Sequence, residues 1–128
     1  MKNITVVAVE PYSPGDESAT VTLSSGKGEV AVFCWPCSLS VGDVIENRLS
    51  TLDGYAYATY FSDWPDDEKE ALSTEWLERT GNYSYKGRGR VLDISEGLVE
   101  VNGFVIELGD VLGEGHVDFE IARLDVSS

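Results

Sequence analysis

The feature that most narrows the fold is a recurrence of short β-branched or alternating runs, each closed off by Gly, Pro, Ser, Asn or Asp. They cover Ile4 to Val9, Ala19 to Leu23, Glu29 to Phe33, Asp43 to Leu49, Tyr55 to Phe61, Arg90 to Ile94, Leu98 to Val101, Phe104 to Leu108 and Val117 to Val126. Runs of this length, bounded in this way, read as strands. Between them, Ser25-Gly26-Lys27-Gly28, Ser95-Glu96-Gly97 and Asn102-Gly103 supply residues that tolerate the positive φ of tight hairpins. Antiparallel pairing in meander order is the expectation.

One stretch departs from this pattern. Over about residues 65–80, Pro65 suits a first helical turn, and Asp66, Asp67 and Glu68 put negative charge at the positive end of a helix dipole. Arg79 and Gly81 are suited to the other end. Trp64, Leu72 and Trp76, flanked by Ala71 and Leu77, would form a narrow apolar stripe that needs a sheet to cover it. If that stripe is core, Trp76→Ala costs roughly 3 to 5 kcal/mol.

Strands with one interior helix define a mainly β fold, a small antiparallel β-barrel or sandwich. The OB-fold is the barrel with these ingredients, so the expected architecture is OB-like. A weak internal echo accompanies it. Gly28-Glu29-Val30-Ala31-Val32 leading to Val41-Gly42-Asp43-Val44-Ile45 resembles Gly97-Leu98-Val99-Glu100-Val101 leading to Leu108-Gly109-Asp110-Val111-Leu112, as a duplication would. Residues 1–128 are expected to form a single β-rich domain, since either half alone would be a marginal unit.

Composition bounds what such a domain can do. The chain carries 23 Asp and Glu against 9 Lys and Arg, a formal net charge of −14, yet its 42% hydrophobic content lies far from the disordered regime. A field of one sign steers cationic partners in and repels phosphates. The apolar run after Met1-Lys2-Asn3 is too short for a signal peptide or membrane span. Two cysteines do not make a secreted disulfide scaffold, so the expected setting is cytoplasmic, with no membrane association. Oligomeric state leaves no mark in the sequence.

Four groups of residues could carry function. Cys34-Trp35-Pro36-Cys37 has the spacing of a redox pair, but the following Ser38-Leu39-Ser40-Val41-Gly42-Asp43 reads as loop, not as the helix that lowers a thiol pKa. The bland alternative is two small hydrophobes at a strand end. Asp63, Asp66, Asp67, Glu68 and Glu70 form the densest acidic run, a dipole-matched solvated face or a docking surface for a partner's Lys and Arg. Lys86, Arg88 and Arg90 alternate with Gly87 and Gly89, follow Tyr83 and Tyr85, and would line one face of a strand. Tyr55 and Tyr57 on another strand could extend that face. Aromatics beside bases are what single-stranded nucleic acid binders use, whereas ordinary cross-strand pairing and local charge neutralisation are the plainer alternative.

His116, the only histidine, sits beside glycines in a turn-like context. No nucleophile elbow, P-loop or cation loop is legible, and no cofactor is implied. The sequence therefore favours a noncatalytic acidic module that docks on a basic protein, in sharper form an inhibitor or immunity-type protein for a cationic enzyme. An OB-like binder of single-stranded nucleic acid or another anion is the alternative, disfavoured by the net charge. A thiol-disulfide protein using Cys34 and Cys37 is the third.

Overall fold

The computed structural model describes residues 3–59, 64–109, 111 and 115–126. Within them the chain forms β1 (Ile4–Pro11), β2 (Ala19–Ser24), β3 (Glu29–Cys34), β4 (Val44–Ile45), β5 (Ser50–Ala58), α1 (Asp66–Leu72), β6 (Trp76–Arg79), β7 (Tyr85–Asp93), β8 (Leu98–Val101), β9 (Phe104–Glu107) and β10 (His116–Asp125). Local sequence accounts for most of these. Val21 and Leu23 on β2 and Val30 and Val32 on β3 alternate with half-exposed or exposed neighbours, so one face of the hairpin is sealed. Between β8 and β9, Val101 pairs with Phe104 across a two-residue loop in which Asn102 and Gly103 have φ of 49° and 81°. That left-handed pair matches the twist of the flanking strands, as the Asn-Gly dipeptide predicts.

The strands join into one curled sheet organised by β10. On one edge β10 runs antiparallel to β5, from Val117↔Ala58 to Asp125↔Ser50. On the other it pairs antiparallel with β7, from His116↔Arg90 to Ile121↔Tyr85, and beyond β7 it meets β3 in parallel at Asp125↔Phe33. From β7 the sheet continues through β8 to β9, and from β3 through β2 and β1 to β4. A parallel bridge between Leu49 and Ile106 ties β9 to the entrance of β5, with both flanking backbone hydrogen bonds at 2.8 Å. The path β5-β10-β7-β8-β9 thus returns on itself in a barrel-like curl, as the mainly β composition implies. The order is not a simple meander, because the last strand returns to the middle.

Inside the curl lie Ile4, Leu23, Leu49, Phe104, Ile106, Phe119 and Leu124, all essentially without solvent exposure. Each contributes roughly 1.5 to 3 kcal/mol by leaving water. Tyr85 crosses this core to β3, where its hydroxyl accepts from the Ala31 N–H at 2.8 Å and donates to the Ala31 carbonyl at 3.1 Å. It satisfies main-chain groups on an edge that β10 reaches only at Phe33.

The helix is shorter than the stretch 65–80 suggests. It ends at Leu72, Ser73 turns its hydroxyl back to the Lys69 carbonyl at 2.6 Å, and Trp76–Arg79 become an edge strand on β7. Seven residues with none buried have little to hold a longer helix together. The unpaired edge of β7 offers main-chain partners instead, and tertiary pairing overrides the charge pattern of Arg79 and Gly81. Trp76 is accordingly 37% exposed rather than core, while Leu77, of opposite parity, packs against the core.

The two echoing segments take different places. β3 pairs with β2 and β10 across a long connection to β4, whereas β8 turns directly into β9. What they share is turn chemistry, with Gly42 and Gly109 at φ of 95° and 87°. Asp110 and Leu112 of the second segment lie outside the described residues.

Two substitutions test this packing. Phe119→Ala should lower the unfolding free energy by roughly 3 to 5 kcal/mol. A Cβ at Gly87 would run into the Trp76 carbonyl and come within 2.9 Å of the Phe119 ring, so Gly87→Ala should cost roughly 1 to 3 kcal/mol. Urea midpoints that stay at the wild-type value would contradict the assignment.

Candidate functional site

Strand alternation sends Tyr85, Gly87 and Gly89 inward from β7 and Lys86, Arg88 and Arg90 outward. The glycines are slim because of the protein's own interior: a Cβ at Gly89 would meet Val99 Cγ1 at 2.5 Å and the Glu100 carbonyl at 2.7 Å. The three bases do share one face, and pairing determines what stands beside them. Asp118 and Glu120 of β10 oppose Arg88 and Lys86, and Tyr57 and Tyr55 of β5 oppose the same two carboxylates on the far side. Trp76 and Glu78 of β6 oppose Arg88 and Lys86 from the other flank. Two rows result, Tyr57-Asp118-Arg88-Trp76 and Tyr55-Glu120-Lys86-Glu78, across four adjacent strands.

Along these rows every base meets an acid. Arg88 Nε donates to Asp118 Oδ1 at 2.7 Å and its Nη2 to Oδ2 at 3.3 Å, while Nη1 donates to the Leu72 carbonyl at 3.2 Å and so ties the end of α1 to the sheet. The Lys86 ammonium lies 3.4 Å from Glu78, and Arg90 donates to Glu100 on β8 at 2.9 Å. Tyr55 and Tyr57 are stacked at 6.4 Å and about half exposed, and the Tyr55 hydroxyl donates to Glu120 at 2.6 Å. That bond to an anionic acceptor raises the Tyr55 pKa.

Asp118 is largely enclosed by the face. Burial pushes its carboxyl up, but hydrogen bonds from Arg88 and from Thr59, the latter at 2.6 Å, together with the guanidinium charge outweigh it and hold the group below the usual carboxylate range. His116 opens β10 opposite Arg90 rather than lying in a turn. Burial lowers its pKa, Glu75 opposes that shift, and Arg90 and Arg88 add to it.

The remaining sequence candidates are placed as follows. Tyr85 points inward from β7, and Tyr83 lies in the bend before that strand. Tyr83 is half buried in a cluster with Phe33 at 5.5 Å and Tyr12 at 6.5 Å, its hydroxyl bonded to Tyr12 and, at 2.6 Å, to Thr20. Burial first, then the bond to Tyr83, pushes the Tyr12 phenol up to about 12. Asp66, Asp67, Glu68 and Glu70 are exposed along α1, beside the sheet face through the Arg88 to Leu72 link. Asp63 lies outside the described residues. Cys34 is fully buried in the core, Cys37 is half buried against it, and no disulfide joins them. Trp35 between them is 63% exposed. Among the described residues no group of His, Cys, Asp or Glu is arranged to hold a metal ion, and no helix is long and apolar enough to cross a membrane.

Sequence reasoning named the bases and tyrosines for this face but not Asp118, Glu120, Glu78 or Glu100, and it put Trp76, which completes the face, in a helix stripe instead. The parity of Val117 to Val126 already separates Asp118 and Glu120 from the core positions Val117, Phe119 and Ile121. Which strand they would face is decided by the sheet order alone.

Comparison with protein-family models, with curated proteins and with solved structures finds no match for this chain.

The Asp118 geometry has a measurable consequence. Its folded pKa is depressed, so its contribution to stability is complete above the unfolded-state value of about 3.9 and is lost as pH falls through the lower folded value. Asp118→Asn should cost about 1.5 to 3 kcal/mol at neutral pH, the range for hydrogen bonds to charged groups. The variant should also show a shallower loss of stability on acidification. Parallel acid-unfolding curves for the two proteins would show that Asp118 is not held this way.

Proposed function

We propose that this protein is a noncatalytic binding module that docks on a basic protein through the outward face of β5, β10, β7 and β6 and the acidic helix beside it. In its sharper form it is an inhibitor or immunity-type protein for a cationic enzyme such as a nuclease. The observation that carries this is the one-to-one matching of Lys86, Arg88 and Arg90 by Glu78, Asp118 and Glu100. With its bases answered at home, the face presents no surplus of positive charge, and Asp66, Asp67, Glu68 and Glu70 add exposed carboxylates alongside. Arg48 and Arg123 are likewise paired with Glu107 and Asp125.

Exposed Tyr55, Tyr57 and Trp76 suit the same kind of partner, because an aromatic face attracts Lys and Arg and supplies contact area at small entropic cost. A field of −14 adds long-range steering that falls off beyond a Debye length of about 8 to 10 Å. A cytoplasmic setting goes with this proposal, Cys34 and Cys37 remaining thiols packed in the core.

A fluorescein-labelled hexa-arginine peptide and a labelled oligothymidine, each titrated with the protein at low and moderate salt, test the charge preference. The peptide should bind at low salt and weaken steeply as salt rises, with no binding of the oligonucleotide. Oligonucleotide binding that disappears when Lys86, Arg88 and Arg90 are all changed to Ala would instead select the nucleic acid reading. For a natural partner captured from lysate, the association rate should fall with ionic strength.

A further inference from the structure

At one end of this face the sheet leaves a hole. β10 loses β7 as a neighbour after the Ile121↔Tyr85 pair and meets β3 only at Asp125. In between, the small side chain of Ala122 fills little of the space. A cavity of about 400 Å³ results, with Asp53 and Tyr55 of β5 on one side, Glu120 at its rim, and Thr80 and Ser84 on the other side. Tyr85, Ile121 and Ala122 complete its lining.

The polar groups around this cavity are not equivalent. Glu120 is oriented by the Tyr55 hydroxyl, which binds its Oε2 at 2.6 Å. The ammonium of Lys86, whose stem also lines the cavity, sits with Glu78 on β6, which flanks β7 on the side away from β10. The Thr80 hydroxyl donates to Ser84 at 3.0 Å, closing that wall internally. The Asp53 side chain makes no hydrogen bond or ion pair among the described residues. Its φ of 52° is a left-handed conformation that Asp and Asn adopt more readily than most residues.

We propose that this cavity seats one arginine side chain of the basic partner, an assignment that presupposes the docking face described above. The methylene stem would lie along Ile121 and Ala122, and the guanidinium would stack on the half-exposed ring of Tyr55 between the carboxylates of Asp53 and Glu120. Arginine fits better than lysine because a planar fork can bond two carboxylates while stacking on an aromatic ring, which a compact ammonium cannot do. The volume is of the size that small ligand groups occupy, and the lining combines apolar residues, an exposed aromatic ring and two carboxylates, as specificity pockets do.

The test compares two double variants of equal charge change. Asp53→Asn with Glu120→Gln removes the two carboxylates from the cavity, while Asn tolerates the same backbone and Gln still accepts from Tyr55. Asp66→Asn with Asp67→Asn removes two from the helix. Wild-type protein should bind hexa-arginine several-fold more tightly than hexa-lysine. The cavity variant should lose roughly tenfold for hexa-arginine and most of that preference, and the helix variant should lose less and keep it. Amide chemical shifts on adding hexa-arginine should move at Asp53, Tyr55 and Ser84. Equal losses in both variants, or a preference that survives in the cavity variant, overturn the arginine seat and leave the docking face standing. Failure of wild-type protein to bind either peptide at low salt overturns both.

Discussion

The structure depends on one strand having partners along both edges. β10 is antiparallel to β5 on one side and to β7 on the other, and its last residues reach β3 in parallel. It therefore joins two halves of the sheet that the chain builds far apart in sequence. Its inward residues Val117, Phe119, Ile121 and Leu124 sit at the centre of the core. Its outward residues Asp118 and Glu120 sit at the centre of the exposed face. A strand in this position has to be apolar on one side and must supply charge on the other, and the alternation from Val117 to Ile121 does both.

The same strand turns a basic stripe into a neutralised one. Taken alone, Lys86, Arg88 and Arg90 would make a positive ridge suited to phosphates. Laid between β10 on one side and β6 and β8 on the other, each meets a carboxylate of a neighbouring strand. Pairs of this kind contribute little to stability when exposed, and more where Asp118 and Arg88 are half enclosed. Their larger effect is on recognition, because the charge left over on the face belongs to Asp53, Glu120 and the helix rather than to the bases. Where β10 exchanges β7 for β3, the interruption of pairing opens the cavity beside these acids.

Much of the fold was legible residue by residue. The hairpin at Asn102-Gly103, the boundaries of Leu98–Val101 and the alternation of β2 and β3 follow from side-chain periodicity and turn chemistry, which act locally. The segment after Leu72 was misread because its helix-end signals are also local, while the open edge of β7 that captures Trp76–Arg79 is not. Tyr83 and Tyr85 were grouped with the bases by proximity in sequence. The parity of Tyr85, already visible in Tyr85-Lys86-Gly87-Arg88, separates it from the bases, because the side-chain period of a strand is two, and Tyr83 precedes the strand in a bend.

By itself the sequence determined the strand-rich class, most hairpin turns, which side chains share a face, and the sign of the overall field, since each depends on spacing or on a sum over residues. Only the tertiary structure decided which strands lie side by side. That choice paired Asp118 with Arg88, sent Tyr85 across the core to Ala31, made an edge strand of Trp76–Arg79 and left the hole beside Ala122. The reason is that periodicity fixes the direction in which a residue points, whereas its neighbours across the sheet depend on contacts between segments distant in the chain.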